Sequence, residues 1–157
     1  MRPYREFQFG WVLVVTAVII LALSSYVFIF NVGTKPMELW SFLLVTGMMG
    51  LATALMYGMS TEVGNGIIRV SFGIGLINRS INLNDVKEVA IVRNPWYYGW
   101  GVRLIPNGWL YNITGSDAVE VKLNNSNRIV RIGSRNSKHL ADEIGKQVAK
   151  MGKPENR

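Results

Sequence analysis

The sequence contains no cysteine and a single histidine. Without cysteine the chain forms no disulfide and offers no thiolate for a metal, which fits a reducing compartment. His139 lies in a stretch with helical spacing, where a solvated histidine is the ordinary case. No set of histidine and carboxylate residues has metal-ligand spacing. The sequence therefore predicts no metal and no cofactor, and it argues against an enzyme.

Charge is absent from two long segments. Residues 7–34 contain no Asp, Glu, Lys or Arg, and neither do residues 39–61. The most apolar part of the first segment, Phe9–Val32, spans roughly 36 Å as a helix, more than the ~30 Å of a hydrocarbon core. We therefore predict two transmembrane helices, at about 9–32 and 39–61.

The alternatives to a membrane hairpin are a buried soluble helix and, for the first segment, a cleaved signal peptide. Soluble helices rarely run so long without a charge. The first apolar run also continues through Val27–Phe30, which is too long for the core of a signal peptide. The connector at residues 31–38 is short, so the two helices are expected to form an antiparallel hairpin.

The basic residues near the helix ends predict the orientation. Arg2 and Arg5 precede the first helix, Arg69 and Arg79 follow the second, and the connector carries only Lys35. Lys and Arg are enriched in cytoplasmic loops. The expectation is a multi-pass protein of the cell membrane with both termini in the cytoplasm.

Small residues recur every fourth position in the second apolar segment, at Gly50, Ala54 and Gly58. Such a row lets another helix approach closely. We favour packing against the first helix of the same hairpin. An interface with a second copy or a partner protein is the alternative.

After Thr61 the apolar pattern changes to a period of two, as in Val119–Leu123, where apolar and charged residues alternate. Alternation of this kind predicts strands with one apolar face. Short connections rich in Gly and Asn favour antiparallel neighbours and a meander. Seven strands are predicted, around residues 68–72, 81–83, 89–91, 102–104, 109–113, 119–123 and 130–132.

The tail has the spacing of an amphipathic helix, predicted at about 136–151. A seven-stranded antiparallel barrel or sandwich leaves one end open, and this helix is expected to cap it. The predicted domains are a two-helix hairpin at 1–61 and a cytoplasmic β-domain at 62–157. The apolar positions of the helix are Leu140, Ile144, Val148 and Met151.

The β-domain resembles a known family most closely in four short segments: Tyr98–Arg103, Gly108–Asn112, Ala118–Val121 and Arg131–Ser134. In these segments the chain resembles the bacterial pleckstrin-homology-like (PH-like) domain family, especially small proteins with two membrane helices before the domain. The resemblance implies the PH-like fold. It implies little about activity, because that fold hosts lipid, peptide and oligomer interfaces alike.

The first predicted hairpin departs from the phosphoinositide-binding members of that family. Those members usually carry clustered lysine and arginine in this hairpin. Here the tip is the apolar segment Gly73–Ile77, and Arg69 and Arg79 are set back from it. The departure argues against recognition of inositol phosphates.

The segment Pro95–Gly101 concentrates large aromatic residues between Arg93 and Arg103. The rings fold back over the barrel as a satellite core, lie at headgroup depth with the arginines on lipid phosphates, or contact another subunit. The sequence leaves these three interpretations open. The aromatic residues are Trp96, Tyr97, Tyr98 and Trp100.

Charge and pattern together predict a non-catalytic, membrane-anchored module that binds lipid headgroups or a partner protein. From Glu62 onward the chain has 14 basic and 8 acidic residues, a net charge of +6, which favours an anionic lipid surface. The basic residues are scattered, which argues against nucleic acid. The alternative function is a self-assembling scaffold or a subunit of a membrane complex. The candidate binding residues are Arg69, Arg79, Arg93 and Arg103 together with the four aromatic residues.

Overall fold

The fold was analysed in a computed structural model, which describes residues 3–33, 35–124 and 128–151. Arg2 and the end of the predicted domain beyond Met151 lie outside the described residues. Within the described ranges the chain forms nine strands and three α-helices, with short 3-10 turns at Leu83–Asp85 and Trp96–Tyr98. The helices are α1 (Trp11–Phe30), α2 (Leu39–Met56) and α3 (Ser137–Met151). The strands are β1 (Tyr4–Phe9), β2 (Gly58–Gly64), β3 (Ile67–Phe72), β4 (Ile77–Asn82), β5 (Val86–Arg93), β6 (Gly101–Ile105), β7 (Gly108–Asn112), β8 (Asp117–Leu123) and β9 (Ile129–Gly133).

Helices α1 and α2 are each long and apolar enough to cross a membrane. Their mean hydropathies are 2.7 and 1.7, and 6% and 0% of these stretches are buried. A core helix of a soluble protein is mostly covered by its own domain, whereas the described residues leave both of these helices uncovered. The predicted pair of apolar helices is confirmed.

Both helices are shorter than predicted because the uncharged runs continue into strands. Residues before Trp11 belong to β1, and residues after Tyr57 belong to β2. The two strands pair antiparallel, with Phe9 opposite Gly58. The Gly10 N–H donates to the Tyr57 carbonyl over 2.8 Å. The hydrogen bonding between β1 and β2 therefore continues to Gly10, the residue that immediately precedes α1. The predicted domain boundary at residue 61 therefore falls inside β2.

The α1–α2 hairpin is thus an insertion between two hydrogen-bonded neighbours of one sheet. The first sheet has the antiparallel order β1-β2-β3-β4. Because β1 and β2 hold the start of α1 beside the end of α2, both helices leave the β-domain at the same end. The N-terminal strand lies in the same domain as the rest of the chain.

The second sheet has the order β5-β8-β9-β7-β6 and departs from the predicted meander. Its β7 and β9 strands are parallel, whereas its other neighbours are antiparallel. Gly108 permits this pairing, because a Cβ there would overlap the carbonyl of Ile129. The seven predicted strands correspond to β3–β9, and β1 and β2 were not predicted.

The two sheets enclose one core but do not close into a barrel. Met59 and Phe72 from the first sheet and Val121 and Ile132 from the second are buried together. Helix α3 adds Leu140 and Ile144 to this core, and it packs on β5 and β8. The amphipathic C-terminal helix is confirmed.

Of the predicted barrel or sandwich, the structure shows two sheets that stay open, with a seam between the edge strands β4 and β6. A cleft of about 980 Å³ marks this seam. On the β6 side Leu104 lies in the cleft and is 75% exposed, because the first sheet ends at β4 and nothing covers it. Trp109 of β7 lies opposite Leu104 in the register and is also exposed.

Candidate functional site

Three connections of the β-domain lie at the end from which α1 and α2 emerge. Strand β2 starts at this end, and successive strands run alternately away from it and back. The β3–β4 turn (73–76), the β5–β6 loop (94–100) and the β7–β8 turn (113–116) are therefore all placed there. We call this the helix-proximal end. Gly10, before α1, lies against Ile113 of the last of these turns.

The β3–β4 turn is docked on the last turn of α2. The Ile74 N–H donates to the Ala54 carbonyl over 3.2 Å, so it satisfies one of the acceptors that a helix end leaves unpaired. Gly73 has φ +49°, and a Cβ there would overlap the same carbonyl. Ile74 and Leu76 are exposed. The turn therefore presents two apolar side chains level with the end of α2.

The β5–β6 loop, called here the aromatic loop, projects its rings into the surroundings. Trp96 is 90% exposed, Tyr97 67% and Trp100 48%. Trp96 and Tyr97 meet edge to face with centroids 6.1 Å apart, and Tyr97 meets Tyr98 in the same way at 5.1 Å. The satellite-core interpretation is therefore wrong for Trp96 and Tyr97. The lipid-facing and subunit-facing interpretations are both compatible with these exposures.

The buried side chain of Asn112 and a backbone hydrogen bond of Asn94 hold the aromatic loop in place. The Asn112 side-chain amide donates to the Gly115 carbonyl over 3.0 Å and to the Gly99 carbonyl over 3.4 Å. The Asn94 N–H donates to the Ser116 carbonyl over 2.7 Å. The loop is thus tied to the β7–β8 turn. Its exposed rings are carried on an anchored backbone.

Arg93 and Arg103 flank this loop and are both exposed. The Arg93 Nε donates to the Ser116 Oγ over 3.1 Å, and the Arg103 Nε donates to the Trp100 carbonyl over 3.2 Å. Among the described residues neither arginine forms an ion pair. Each guanidinium keeps further N–H donors for an anion. We call the exposed set the rim: Ile74, Leu76, Trp96, Tyr97 and Trp100 with Arg93 and Arg103.

Arg69 and Arg79, the other two predicted binding residues, lie on different surfaces. Arg69 faces outward on β3, opposite Glu62 in the ladder. Arg79 is opposite Val70 and therefore shares the inner face of the first sheet, where it borders the open seam. Burial raises the pKa of Tyr111, and the nearby charge of Arg79 partly offsets that effect. The structure does not gather the four predicted arginines into one site.

The predicted row of small residues does not form on α2. Gly58 belongs to β2, because the helix ends at Met56. Gly50 is exposed, and no atom lies within 4 Å of a Cβ built there, so the favoured packing against α1 is wrong at this residue. The buried residues of α1 are Ala17 and Ser24, seven positions apart and hence on one face.

A groove of about 480 Å³ lies between α1, α2 and the aromatic loop. Among the described residues that line it, Arg103 is the one charged side chain. Sequence reasoning missed the groove because its walls come from segments far apart in the chain. The lining residues are Val12, Leu13, Thr16, Ala17 and Ile20 of α1, Met49, Ala52, Thr53 and Met56 of α2, and Gly99, Trp100, Gly101, Arg103 and Ile113 of the β-domain.

These features define a class of protein: a two-sheet β-domain whose first hairpin carries a pair of candidate membrane-spanning helices, with an apolar, arginine-bearing rim beside their ends. Comparison of the sequence with protein-family models and with curated proteins finds no match in either. Within the described residues no group of three or more His, Asp or Glu side chains is placed to hold a metal ion.

Proposed function

We propose that this chain is a non-catalytic, membrane-anchored module whose rim binds anionic lipid headgroups at the inner face of the cell membrane. The observation that carries the proposal is the position of the rim beside the ends of α1 and α2. Exposed aromatic side chains lie at the same end of the β-domain as the ends of α1 and α2, together with two arginines that form no ion pair with any described residue.

The depth of the rim follows from its contacts with α2. This helix has 18 residues and is about 27 Å long, close to the ~30 Å of a hydrocarbon core. If α2 crosses the bilayer, its last turn lies at the headgroup level. The β3–β4 turn is hydrogen-bonded to that turn, and Gly101 after the aromatic loop lies against Met56. Tryptophan and tyrosine rings are favourable at this depth.

Electrostatics supports the same placement. A basic side chain near an anionic leaflet contributes about 1 kcal/mol when it reaches the surface. Arg93 and Arg103 are exposed beside the rings, whereas Lys35 is the one basic residue between the helices. The positive-inside rule counts basic residues near the helix ends, here Arg2, Arg5 and Arg69 against Lys35, and it favours the cytoplasm for both ends of the chain. Because the helices tether the domain, even a weak headgroup site stays occupied.

The PH-like resemblance agrees with this proposal, since that fold hosts lipid and protein interfaces. No inositol-phosphate site is proposed, because Arg69 and Arg79 lie on opposite faces of the first sheet and the tip of the β3–β4 turn is apolar.

A second candidate function is assembly with a partner protein or a second copy through the open seam. Strand β4 is one of the two edges of the first sheet and β6 is one of the two edges of the second, and an unpaired edge is a template for another strand. Leu104 and Trp109 extend that edge with exposed apolar surface.

Spin-label depth measurements test the lipid-binding proposal. The cysteine-free chain permits single labels at Trp96→Cys in the rim and, as the matched control, at Lys87→Cys near the far end of β5. The full chain is reconstituted in phosphatidylcholine vesicles that contain phosphatidylglycerol. We expect the label at position 96 to be relaxed by oxygen and shielded from a water-soluble nickel complex, and the label at 87 to show the reverse. Equal accessibility of both labels to nickel contradicts the proposal.

Charge reversal tests the role of the two arginines. Arg93→Glu with Arg103→Glu is expected to lower the enrichment of phosphatidylglycerol around the reconstituted chain and to move the label at position 96 toward water. Lys87→Glu with Lys146→Glu gives the same change in net charge away from the rim, so it is the control. An equal loss in both variants would show that net charge, and not the rim, attracts the lipid.

A further inference from the structure

We infer that the groove between α1, α2 and the aromatic loop binds one anionic phospholipid, with an acyl chain between the helices and the phosphate at Arg103. The inference rests on the proposed membrane anchoring and goes further by naming a discrete site for one molecule. The rim, by contrast, is a surface that touches many lipids.

The walls of the groove are suited to an acyl chain. Along α1 the lining extends from Val12 to Ile20, about 12 Å at the rise of an α-helix. Its volume of about 480 Å³ lies within the roughly 300–1,000 Å³ range of small-molecule pockets. Because α1 and α2 are the candidate membrane spans, the groove opens on the hydrocarbon. An open apolar groove in that position is filled by lipid chains.

Helices α1 and α2 contact each other near the connector, and the groove lies between them nearer the β-domain. Toward the connector, Phe28 of α1 stacks on Phe42 of α2 with centroids 4.7 Å apart and planes at 12°. At the domain end, Ala17 and Ala52 contribute short side chains to the walls. The void therefore lies at the helix-proximal end, beside the predicted headgroup level.

The mouth of the groove is suited to a phosphate. Among the lining residues that the structure describes, Arg103 supplies the one charged side chain and no carboxylate competes for it. Its hydrogen bond from Nε to the Trp100 carbonyl fixes the guanidinium beside the groove. The terminal nitrogens can then bind a phosphate in the bidentate way that arginine favours. Gly101 has φ +99°, and a Cβ there would press on the Met56 side chain, so this backbone keeps the mouth open.

A phospholipid fits these features better than a transmembrane helix of a partner. The cation lies at the end of an apolar groove, where a lipid places its phosphate above its chains. A partner helix would have to bring an acidic side chain to the same depth, which is costly in a membrane.

Lipid retention by the full chain tests the inference. The chain is purified from vesicles with equal phosphatidylglycerol and phosphatidylcholine, carried through detergent exchange and examined by native mass spectrometry. We expect the wild type to retain one phosphatidylglycerol. Ala52→Phe fills the groove, and Arg103→Gln removes the phosphate partner; each is expected to lower retention about tenfold. Leu51→Phe is the matched control, because Leu51 is exposed on α2 outside the lining.

The outcomes separate this inference from the proposed function. Equal retention in Ala52→Phe, Arg103→Gln and Leu51→Phe overturns the groove site, as does a wild type that holds no lipid, both lipids equally, or a protein in place of lipid. Because Arg103 belongs to both the rim and the groove, Ala52→Phe is the variant that separates the two sites. A label at position 96 is expected to keep its depth in Ala52→Phe, which also shows that this variant is folded and inserted. A label at 96 that lies in water in the wild type removes the proposed function itself.

Discussion

Glu6 shows how a single carboxylate fastens β1 to the far end of the chain. Its Oε1 accepts from the Arg135 N–H over 2.8 Å, and its Oε2 accepts from the Ser134 hydroxyl over 2.6 Å and the Tyr4 hydroxyl over 2.9 Å. Burial raises the pKa of the Tyr4 phenol, and the hydrogen bond to Glu6 adds to this rise. The carboxylate thus joins the first strand to the segment that leads into α3.

Glu6→Ala is expected to lower the free energy of unfolding by about 1–3 kcal/mol, because it leaves partly buried donors unpaired. The measurement is urea unfolding of the full chain in detergent micelles, followed by tryptophan fluorescence. Glu62→Ala is the control, since the ion pair of Glu62 among the described residues is with the exposed Arg5 over 2.7 Å, and such pairs contribute about 0–1 kcal/mol. A loss no greater in Glu6→Ala than in the control would contradict this role.

The arginines show how much of the site could be predicted from single residues. The aromatic loop and its two flanking arginines were identified because large rings in a turn-rich segment are unusual. Their exposure could not be predicted, since it depends on whether another element covers them. The position of Arg79 could have been predicted from the sequence. Arg79 lies two residues from both Ile77 and Ile81, and residues two apart in a strand share a face, so Arg79 is on the inner face of β4. Grouping it with Arg69 ignored that period.

At the scale of elements, β1 could not be recognised from its pattern because its polar residues face inward. Tyr4, Glu6 and Gln8 lie on the side toward the domain, whereas Phe7 and Phe9 are exposed. Gln8 is fully buried and donates to the Gly133 carbonyl over 2.8 Å. The clear alternation of β8 and the helical spacing of α3 were recognised because their apolar faces are the buried ones.

The insertion of α1 and α2 between β1 and β2 predicts that the β-domain folds without them if the hairpin is closed. Replacing residues 11–56 by Asn-Gly joins Gly10 to Tyr57, which are already hydrogen-bonded, through a two-residue turn that suits antiparallel strands. We expect a soluble, cooperatively unfolding domain, measured by circular dichroism and size-exclusion chromatography. A chain that begins at Glu62 is the contrasting variant.

The contrasting variant is expected to aggregate. It removes β1 and the first half of β2, and with them the buried side chains of Gln8 and Met59. If the chain beginning at Glu62 were as soluble and cooperative as the closed hairpin, β1 would not be part of the folding unit.

At the scale of the whole molecule, the pairing of β1 with β2 restricts the possible membrane topologies. Both strands belong to one sheet, so the residues before α1 and after α2 cannot lie on opposite sides of a bilayer while the ladder is intact. If α1 and α2 span the bilayer as proposed, the chain crosses it twice and both ends lie on one side. The basic residues near the helix ends favour the cytoplasmic side for both ends: Arg5 precedes α1 and Arg69 follows α2, whereas the connector carries Lys35.

Labelling of single cysteines in intact cells measures which side of the membrane the connector and the β-domain face. We expect Lys35→Cys to react with a membrane-impermeant maleimide from outside, and Lys87→Cys to react only after the membrane is permeabilised. The reverse pattern would place the rim on the outer leaflet, where the anionic lipid needed by Arg93 and Arg103 is not established. Reaction of both cysteines in intact cells would mean that α1 and α2 do not cross the membrane. The proposed position of the rim at the headgroup level would then be wrong, because it depends on α2 spanning the bilayer.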